Sequence, residues 1–238
     1  MPTAPPGPRD NPWDVLSDSF DTTKAEDEIP AGAADNILIA WPLIFQFIAT
    51  HVPALEGQPV LDYGCGAGSF AHQLDELGGQ VTGIDPSPAM IDKATAAYGN
   101  GVTFLIGDSQ LLRGLPPFVL ITAIMALQFV ADLPTLFADL TQALVPGGHL
   151  IFAVHNPAFF QGEVLRFGNG VEVPIFIRSA VDYHAVAEPA GLEPLLETYP
   201  PFTPEFLGRY PSYAGRAAPE YLILGYRRQG PGERMVDS

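Results

Sequence analysis

Three glycines separated by single residues follow directly after an apolar run in the stretch VLDYGCGAGSF. They are Gly64, Gly66 and Gly68. In doubly wound folds such a turn lies beneath the ligand at the carboxyl end of the first strand, and glycine lets the backbone approach the ligand without a Cβ in the way. Asp62 precedes the turn, and Asp85 and Asp108 each follow a later apolar run. Because these carboxylates can accept hydrogen bonds from hydroxyl or amino groups, the pattern predicts a ligand site built from three strand ends.

The elements that position these residues alternate between strand and helix from Pro59 to Asn156. Near-continuous apolar runs such as QVTGID and FVLITAIM predict strands buried on both faces, and the segments between them have helical spacing. LPTLFADLTQALVPGG is the helix expected before the fifth strand, HLIFAVHN, and two further strands, EPLLETY and EYLILGYRR, follow later. Sequential strand and helix units build a parallel sheet with helices on its faces. We expect an α/β fold with a doubly wound, mostly parallel, seven-stranded sheet.

The segments outside this alternation are expected to cover the strand ends. Residues 31–56 have helical apolar spacing, with Pro42 expected to divide them into two short helices. The run EVLRFGNGVEVPIFI predicts a β-hairpin whose two-residue turn is Asn169-Gly170. The segment around Trp41 and this hairpin are expected to form a lid. A later segment, SAVDYHAVAEPAGL, predicts a helix that stops near Gly191.

The domain organisation follows from these elements. Residues 1–30 are rich in proline and polar residues and are expected to be flexible. Residues 31–238 are expected to form one domain, with a helical cap over 31–56, a ligand-binding core over 57–156 and a substrate-binding half over 157–238. The run ILIAWPLIF is shorter than the roughly 18 apolar residues of a membrane span, so we expect a soluble, cytoplasmic protein.

Composition restricts the partners. The chain has 11 Lys and Arg against 27 Asp and Glu, a formal charge of −16, so a polyanion such as nucleic acid would be repelled. A single cysteine, Cys65, offers neither an internal disulfide nor a metal cluster, which fits a reducing compartment. We expect no nucleic acid, membrane or metal partner, and a monomer or a homodimer.

Five blocks of the chain together resemble the class I S-adenosylmethionine-dependent methyltransferases. They are VLDYGCGAGSF, VTGIDPSPAMIDKA, FLIGDSQLL, ALQFVADL and LVPGGHLIFAV, in the family's order, over roughly residues 58 to 156. One departure is Val119, where the family often has an aspartate at the start of the fourth strand. The carboxyl-terminal half is similar, more loosely, to the small-molecule members of the family. The resemblance implies S-adenosylmethionine as cofactor and a small-molecule methyl acceptor.

The resemblance also implies roles for individual residues in cofactor binding. The glycine turn would approach the methionine part of the cofactor, Asp62 would bind its amino group, and Asp85 would accept from both ribose hydroxyls. The remaining cofactor contacts would come from Pro86, Met90, Asp108, Ser109 and Met125. Asp85 lies 85 − 64 = 21 positions after the first glycine, the solution that dinucleotide folds also use for a ribose.

Candidates for contact with the acceptor come from the ends of strands four and five and from the segments beyond. They are Gln128, His155, Tyr183 and His184. His155 is the best placed, at the end of the fifth strand, although it could equally be a structural histidine. Tyr183 and His184 are more often packing residues than catalytic ones. The motif HNPAFF also resembles the N-P-P-[FY] loop of adenine- and glutamine-directed methyltransferases, but it follows the wrong strand.

The function expected is methyl transfer by in-line displacement to an oxygen or nitrogen, less often a carbon, of a small molecule. Two alternatives stay open. A protein that binds the cofactor without methylating would have the same motifs. A nicotinamide-dependent oxidoreductase would share the fold, but its glycine motif expects a small packing residue, glycine or alanine, at position 69, where this chain has Ser69.

Overall fold

The structure is a computed structural model that describes residues 11–23, 34–52, 54–230 and 232. The remaining parts of the expected flexible segment 1–30, the start of the expected cap at 31–33 and the last residues of the chain lie outside the described residues. Within the described part, no helix combines the length and the apolar character needed to cross a membrane.

A seven-stranded sheet forms the centre of the molecule, which confirms the expected fold class. Its strands are β1 (Pro59–Tyr63), β2 (Gln80–Asp85), β3 (Thr103–Ile106), β4 (Phe118–Ile124), β5 (Leu144–His155), β8 (Leu192–Thr198) and β9 (Tyr221–Arg228). The strand order is β3-β2-β1-β4-β5-β9-β8. The first five strands are parallel, whereas β9 runs antiparallel to both β5 and β8. The carboxyl ends of β1 to β5 therefore meet at one edge of the sheet.

Helices connect the strands and cover both faces of the sheet. They are α1 (Pro12–Leu16), α2 (Trp41–His51), α3 (Ser69–Glu76), α4 (Pro88–Tyr98), α5 (Leu133–Ala143), α6 (Ala180–Ala187) and α7 (Pro204–Arg209). One hydrophobic cluster packs α5 and α6 against the sheet around Phe137 and Phe152, and a second packs α2 and α3 around Phe47 and Phe70 on the opposite side. Burial on both faces explains why the central strands are almost continuously apolar.

Three boundaries differ from the sequence expectation. A π-helical stretch, Asn36–Ala40, runs into α2 without a break, because Pro42 lies in the first turn of α2, where the missing N–H costs nothing. The helix α5 ends at Ala143 rather than continuing to residue 148, since Pro146 disfavours helical backbone at the residue before it. The helix α6 likewise ends at Ala187, before Gly191.

The expected hairpin is present, but its turn is not Asn169-Gly170. Strands β6 (Val164–Arg166) and β7 (Glu172–Pro174) pair antiparallel. The amide of Gly170 donates to the carbonyl of Phe167, so Gly168 and Asn169 are the central turn residues. Gly170 follows in the left-handed region with φ 83°. A turn followed by one left-handed glycine is a common three-residue hairpin connection. The turn therefore lies one residue earlier in the chain than predicted.

Residues 11–23, which we call the strap, are folded although they lie in the segment expected to be flexible. The side chain of Asn11 caps α1 and donates to the carbonyl of Pro86 at 2.8 Å. Asp14 accepts from the Ser87 hydroxyl at 2.5 Å and from the Ala89 amide at 3.1 Å, at the start of α4. Lys93 of α4 also donates to two aspartates of the strap. The strap is therefore fastened to the segment after β2.

Candidate functional site

A cavity of about 490 Å³ opens at the carboxyl edge of the sheet. This volume falls within the ~300–1,000 Å³ typical of small-molecule sites. Its lining includes the turn after β1, the loops after β2, β3 and β4, the end of β5, the strap, the start of α2 and the hairpin. The cavity therefore lies where the sequence placed the ligand site.

The glycine turn forms part of the cavity floor. Gly64 has φ 73° and Gly68 has φ 85°, values in the left-handed region that favours glycine. A Cβ at Gly64 would collide with Ala126 of the loop after β4, and one at Gly68 would lie 2.7 Å from the ring of Phe104. At Gly66 a Cβ would meet nothing within 4 Å. Gly64 and Gly66 line the cavity, whereas Gly68 serves the packing of α3 on the sheet.

Asp62 and Asp85 lie at the ends of β1 and β2, and both carboxyls are buried. Asp62 accepts from the Thr122 hydroxyl at 2.7 Å. Asp85 accepts from the amides of Gly66, at 3.0 Å, and Ser87, at 2.8 Å, one on each carboxylate oxygen. Burial raises the pKa of Asp62 to about 7 and that of Asp85 to about 6. A cation beside Asp62 would stabilise its ionised form and lower its pKa. Each oxygen of Asp85 keeps a lone pair that can accept a hydrogen bond from a hydroxyl.

The other residues expected to bind the cofactor differ in whether they line the cavity. Pro86, Met90 and Asp108 line the cavity, and Met125 lines it from the residue after β4. Met125 has φ 55°, a conformation uncommon outside glycine, which bends the chain sharply at the end of β4. Ser109 is not among the cavity residues, because its hydroxyl donates to Asp139 of α5 at 2.8 Å. We call Asp62, Asp85, Asp108 and the turn 64–68 the glycine-turn side of the cavity.

The opposite part of the cavity, here the β9 side, consists of Asp35, Gln128, His155, Glu220 and Tyr221. His155 ends β5, and its Nδ1 lies 4.0 Å from a carboxylate oxygen of Glu220 without a hydrogen-bond partner among the described residues. Burial lowers the pKa of His155 to about 4, so the imidazole is neutral at cellular pH. Its ring stacks on Phe160 at 5.5 Å.

Two of the four acceptor candidates lie elsewhere. Tyr183 is fully buried in the cluster between α6 and the sheet, 5.1 Å from the ring of Phe152. His184 lies on the same helix and contacts Glu197 of β8 and the Tyr226 hydroxyl. Neither lines the cavity, because α6 packs on the face of the sheet and not over its edge. The packing role is the one that fits their positions.

Asn156, from the motif HNPAFF, has a structural role. Its amide donates to the carbonyl of Pro219 at 2.8 Å, and its side-chain oxygen accepts from the amide of Ala158 at 3.0 Å. Both ends of the side chain are therefore used to fasten the loop after β5.

Several cavity residues were not predicted from the sequence. Among them are Asp35, Glu220, Trp13 and Phe20. Trp13 and Phe20 belong to the strap, and their rings contact Phe129, at 4.7 Å, and Phe167 of the hairpin, at 5.6 Å. The apolar residues of PWDVLSDSF, within an otherwise polar and proline-rich segment, were the available signal. No local pattern marks Asp35 or Glu220, since they meet only through the fold.

The sequence of the central part of the chain matches that of known proteins. Residues 61–152 match the family described as a methyltransferase domain. The chain is 32% identical over 124 residues to the ubiquinone biosynthesis O-methyltransferase of Alkalilimnicola ehrlichii, covering 48% of this chain and 49% of that protein. It is 30% identical over 159 residues to the protein of the same name from Nitrosococcus oceani, covering 64% and 66%. The chain thus spans about half the length of several curated relatives that it matches.

The fold is also that of solved relatives. The S-adenosylmethionine-dependent methyltransferase of Mesorhizobium loti superposes with a TM-score of 0.65 at 24% identity, covering 84% of this chain and all (100%) of that one. The sheet order, the glycine turn with its two buried aspartates and the matched domain lead to one assignment. The chain belongs to the class I S-adenosylmethionine-dependent methyltransferase family.

Proposed function

We propose that the protein transfers a methyl group from S-adenosylmethionine to an oxygen or nitrogen atom of a small-molecule acceptor. The observation that carries this proposal is the shared cavity, in which the glycine turn with Asp62 and Asp85 faces a second group of polar side chains across the strand ends. The matched relatives named O-methyltransferases support the choice of reaction.

The residues of the glycine-turn side fit the cofactor. Asp85 has a free lone pair on each oxygen for the two ribose hydroxyls, and the ionised Asp62 would pair with the methionine ammonium. Asp108 and Met90 line the cavity beyond Asp85, where the adenine would lie. Gly66 leaves open space where a side chain would project.

The bound cofactor supplies a methyl group already activated on a sulfonium, so this chain mainly has to orient the acceptor and exclude water. Alignment of this kind contributes up to about 7–11 kcal/mol in favourable cases. Neutral His155 and Gln128 can hydrogen-bond the attacking group, and His155 can take its proton, although its lowered pKa makes it a weak base. The aromatic rings of Trp13, Phe20 and Trp41 exclude water from the same cavity.

Titration calorimetry with S-adenosylhomocysteine, S-adenosylmethionine and NAD tests the cofactor first. We expect the two adenosyl compounds to bind and NAD not to bind. Tight binding of NAD without a response to S-adenosylhomocysteine would instead indicate the oxidoreductase.

Turnover is tested separately, by mass spectrometry of S-adenosylhomocysteine formed with a panel of small hydroxyl and amine compounds. A protein that binds the cofactor but forms no product with any acceptor, including compounds that co-purify with it, would be a non-methylating binding protein.

A further inference from the structure

The two sides of the cavity use their carboxyl groups differently. On the glycine-turn side, backbone amides or a hydroxyl donate to Asp62 and Asp85. On the β9 side, Asp35 and Glu220 hydrogen-bond to each other, and Asp35 also accepts from the Tyr221 hydroxyl and from the Asn36 amide, the latter at 2.7 Å. The cofactor accounts for the first group of carboxyls and leaves the second group without an assigned ligand.

The pair retains a negative charge at neutral pH. Burial is the main cause that raises the pKa of Asp35 to about 6, and burial with the charge of Asp35 raises that of Glu220 to about 8. Because the two carboxyls hydrogen-bond to each other, they titrate as a pair, and the pair keeps a negative charge near pH 7. Arg216 lowers the pKa of Glu220, but its guanidinium lies over the rings of Phe159 and Tyr213. Among the described residues that line the cavity, none is a lysine or an arginine.

Gln128 gives an independent sign of a missing ligand. Its side chain is only 1% exposed and lines the same cavity, and its Oε1 has no hydrogen-bond partner among the described residues. Its amide nitrogen lies 3.7 Å from the sulfur of Met125. One carboxylate oxygen of Glu220 is likewise unpartnered. Buried acceptors without donors are costly, so the missing ligand is one that donates hydrogen bonds.

We propose, resting on the methyl transfer proposed above, that the acceptor carries a basic amine whose protonated form binds to Asp35, Glu220 and Gln128. An ammonium has three donors and a positive charge, which match the unpartnered oxygens of Gln128 and Glu220 and the negative charge of the pair. The rings of Trp41 and Tyr221 line the cavity and add surfaces that favour a cation. A carboxylate or phosphate acceptor would meet carboxyls on both sides of the cavity and no cation in its described lining.

Three compounds of one shape test the head group: phenethylamine, 2-phenylethanol and phenylacetate, each titrated into protein saturated with S-adenosylhomocysteine. We expect the amine to bind at least about tenfold more tightly than the alcohol, and the carboxylate not to bind measurably. Equal binding of amine and alcohol, or preferred binding of the carboxylate, would overturn the proposal. This comparison needs no variant, so it does not depend on how a mutant folds.

Variants then locate the amine. Asp35→Asn and Glu220→Gln each leave one carboxyl, so each should lose only part of the preference for the amine, whereas the double variant should lose it entirely. Glu163→Gln, at an exposed position outside the cavity lining, is the matched control and should behave as wild type. A double variant that binds S-adenosylhomocysteine normally and still prefers the amine would refute the assignment. Failure of wild type to bind S-adenosylhomocysteine would instead remove the proposed function itself.

Discussion

The two sides of the cavity are assembled from very different stretches of chain. The glycine-turn side comes from three successive strand ends between Asp62 and Asp108, each followed by a short turn. On the β9 side, Asp35 and Glu220 are separated by most of the sequence, and His155 reaches them from β5. The first side is local in the chain, and the second exists only after the sheet has formed.

The difference also appears in how each side tolerates buried charge. Backbone amides of the glycine turn and of the loop after β2 donate to Asp85 and hold its carboxylate in place. The buried charge of Asp85 is therefore stabilised by segments that themselves line the cavity. On the β9 side the two acids hydrogen-bond to each other instead. A local site can therefore be rigid before any ligand arrives, whereas the unpartnered oxygens of the β9 side would find their hydrogen-bond donors only in the proposed acceptor.

The largest expected effect is at Gly64, where a side chain would suffer both backbone strain and a steric clash. Gly64→Ala should lower the free energy of unfolding by about 2–5 kcal/mol, since about 1–2 kcal/mol of left-handed strain adds to about 1–3 kcal/mol of overpacking against Ala126. Gly170→Ala is the matched control, because Gly170 also has positive φ but a Cβ there meets nothing within 4 Å. Urea denaturation measures both. Equal losses would mean that the contact with Ala126 is unimportant.

This contrast explains how far the sequence predicts the molecule. The five motif blocks are contiguous, so the sheet, the turn and Asp85 could be predicted from them. The sequence did not reveal that Ser109 turns toward Asp139, that α6 packs on the sheet face, or that the strap folds onto α4. Each of these depends on contacts between segments distant in the chain. Asp35 and Glu220 are a carboxyl pair for the same reason, and neither has a motif around it.

His155 tests whether the β9 side takes part in turnover. His155→Ala should slow turnover by about 10²-fold, at the lower limit of general-base effects, because burial makes the imidazole a weak base and leaves it mainly an orienting group. S-adenosylhomocysteine affinity should hardly change. His155→Asn should recover part of the loss if orientation dominates. His184→Ala, outside the cavity, is the control, and an equal loss there would return His155 to a structural role.

Asp85 tests the glycine-turn side in the same way. Asp85→Ala should weaken S-adenosylhomocysteine binding by about 1–3 kcal/mol, because the ribose hydroxyls lose their acceptor in a buried site. The amides of Gly66 and Ser87 lose it too, so the unliganded protein should also become less stable. Asp92→Ala, at an exposed position of α4, is the control for calorimetry and thermal unfolding. Unchanged affinity in Asp85→Ala would exclude the ribose role.

Asp62, on the glycine-turn side, should make both folding stability and cofactor affinity depend on pH. Its folded pKa of about 7 lies above the ordinary value of 3.8, so the folded state holds this proton more tightly. Stability from this group is complete below about pH 4 and is lost as the pH rises through 7. Cofactor binding should change in the opposite direction, since the ammonium needs the ionised carboxylate. Between pH 5.5 and 8 we expect S-adenosylhomocysteine affinity to rise on the order of tenfold.

Asp62→Asn supplies the comparison for that profile. Position 62 cannot ionise in this variant, so its affinity for S-adenosylhomocysteine should be low and should vary little with pH. The stability of the unliganded variant should not show the fall with rising pH that Asp62 causes in wild type. A wild-type affinity that is flat from pH 5.5 to 8 would show that Asp62 does not pair with the ammonium.

The smallest expected effect concerns the strap, which lies beside the glycine-turn side and contacts the loop after β4 and the hairpin. Asp14 fastens it beside Asp85 through Ser87, while Trp13 and Phe20 contact the loop after β4 and the hairpin. Trp13→Ala should therefore loosen the strap and weaken cofactor binding by a few fold, without unfolding the sheet. Val15→Ala, at a position that is 58% exposed, is the matched control.

Hydrogen exchange tests the same contacts. In wild type, ligand should slow exchange in the strap, the segment around Trp41 and the hairpin, because covering elements open locally more often than the core does. The Trp13 variant should lose that protection in the strap and in the hairpin together, since Phe20 links them. Protection that persists in both segments, or that never appears in wild type, would make the strap a fixed part of the scaffold.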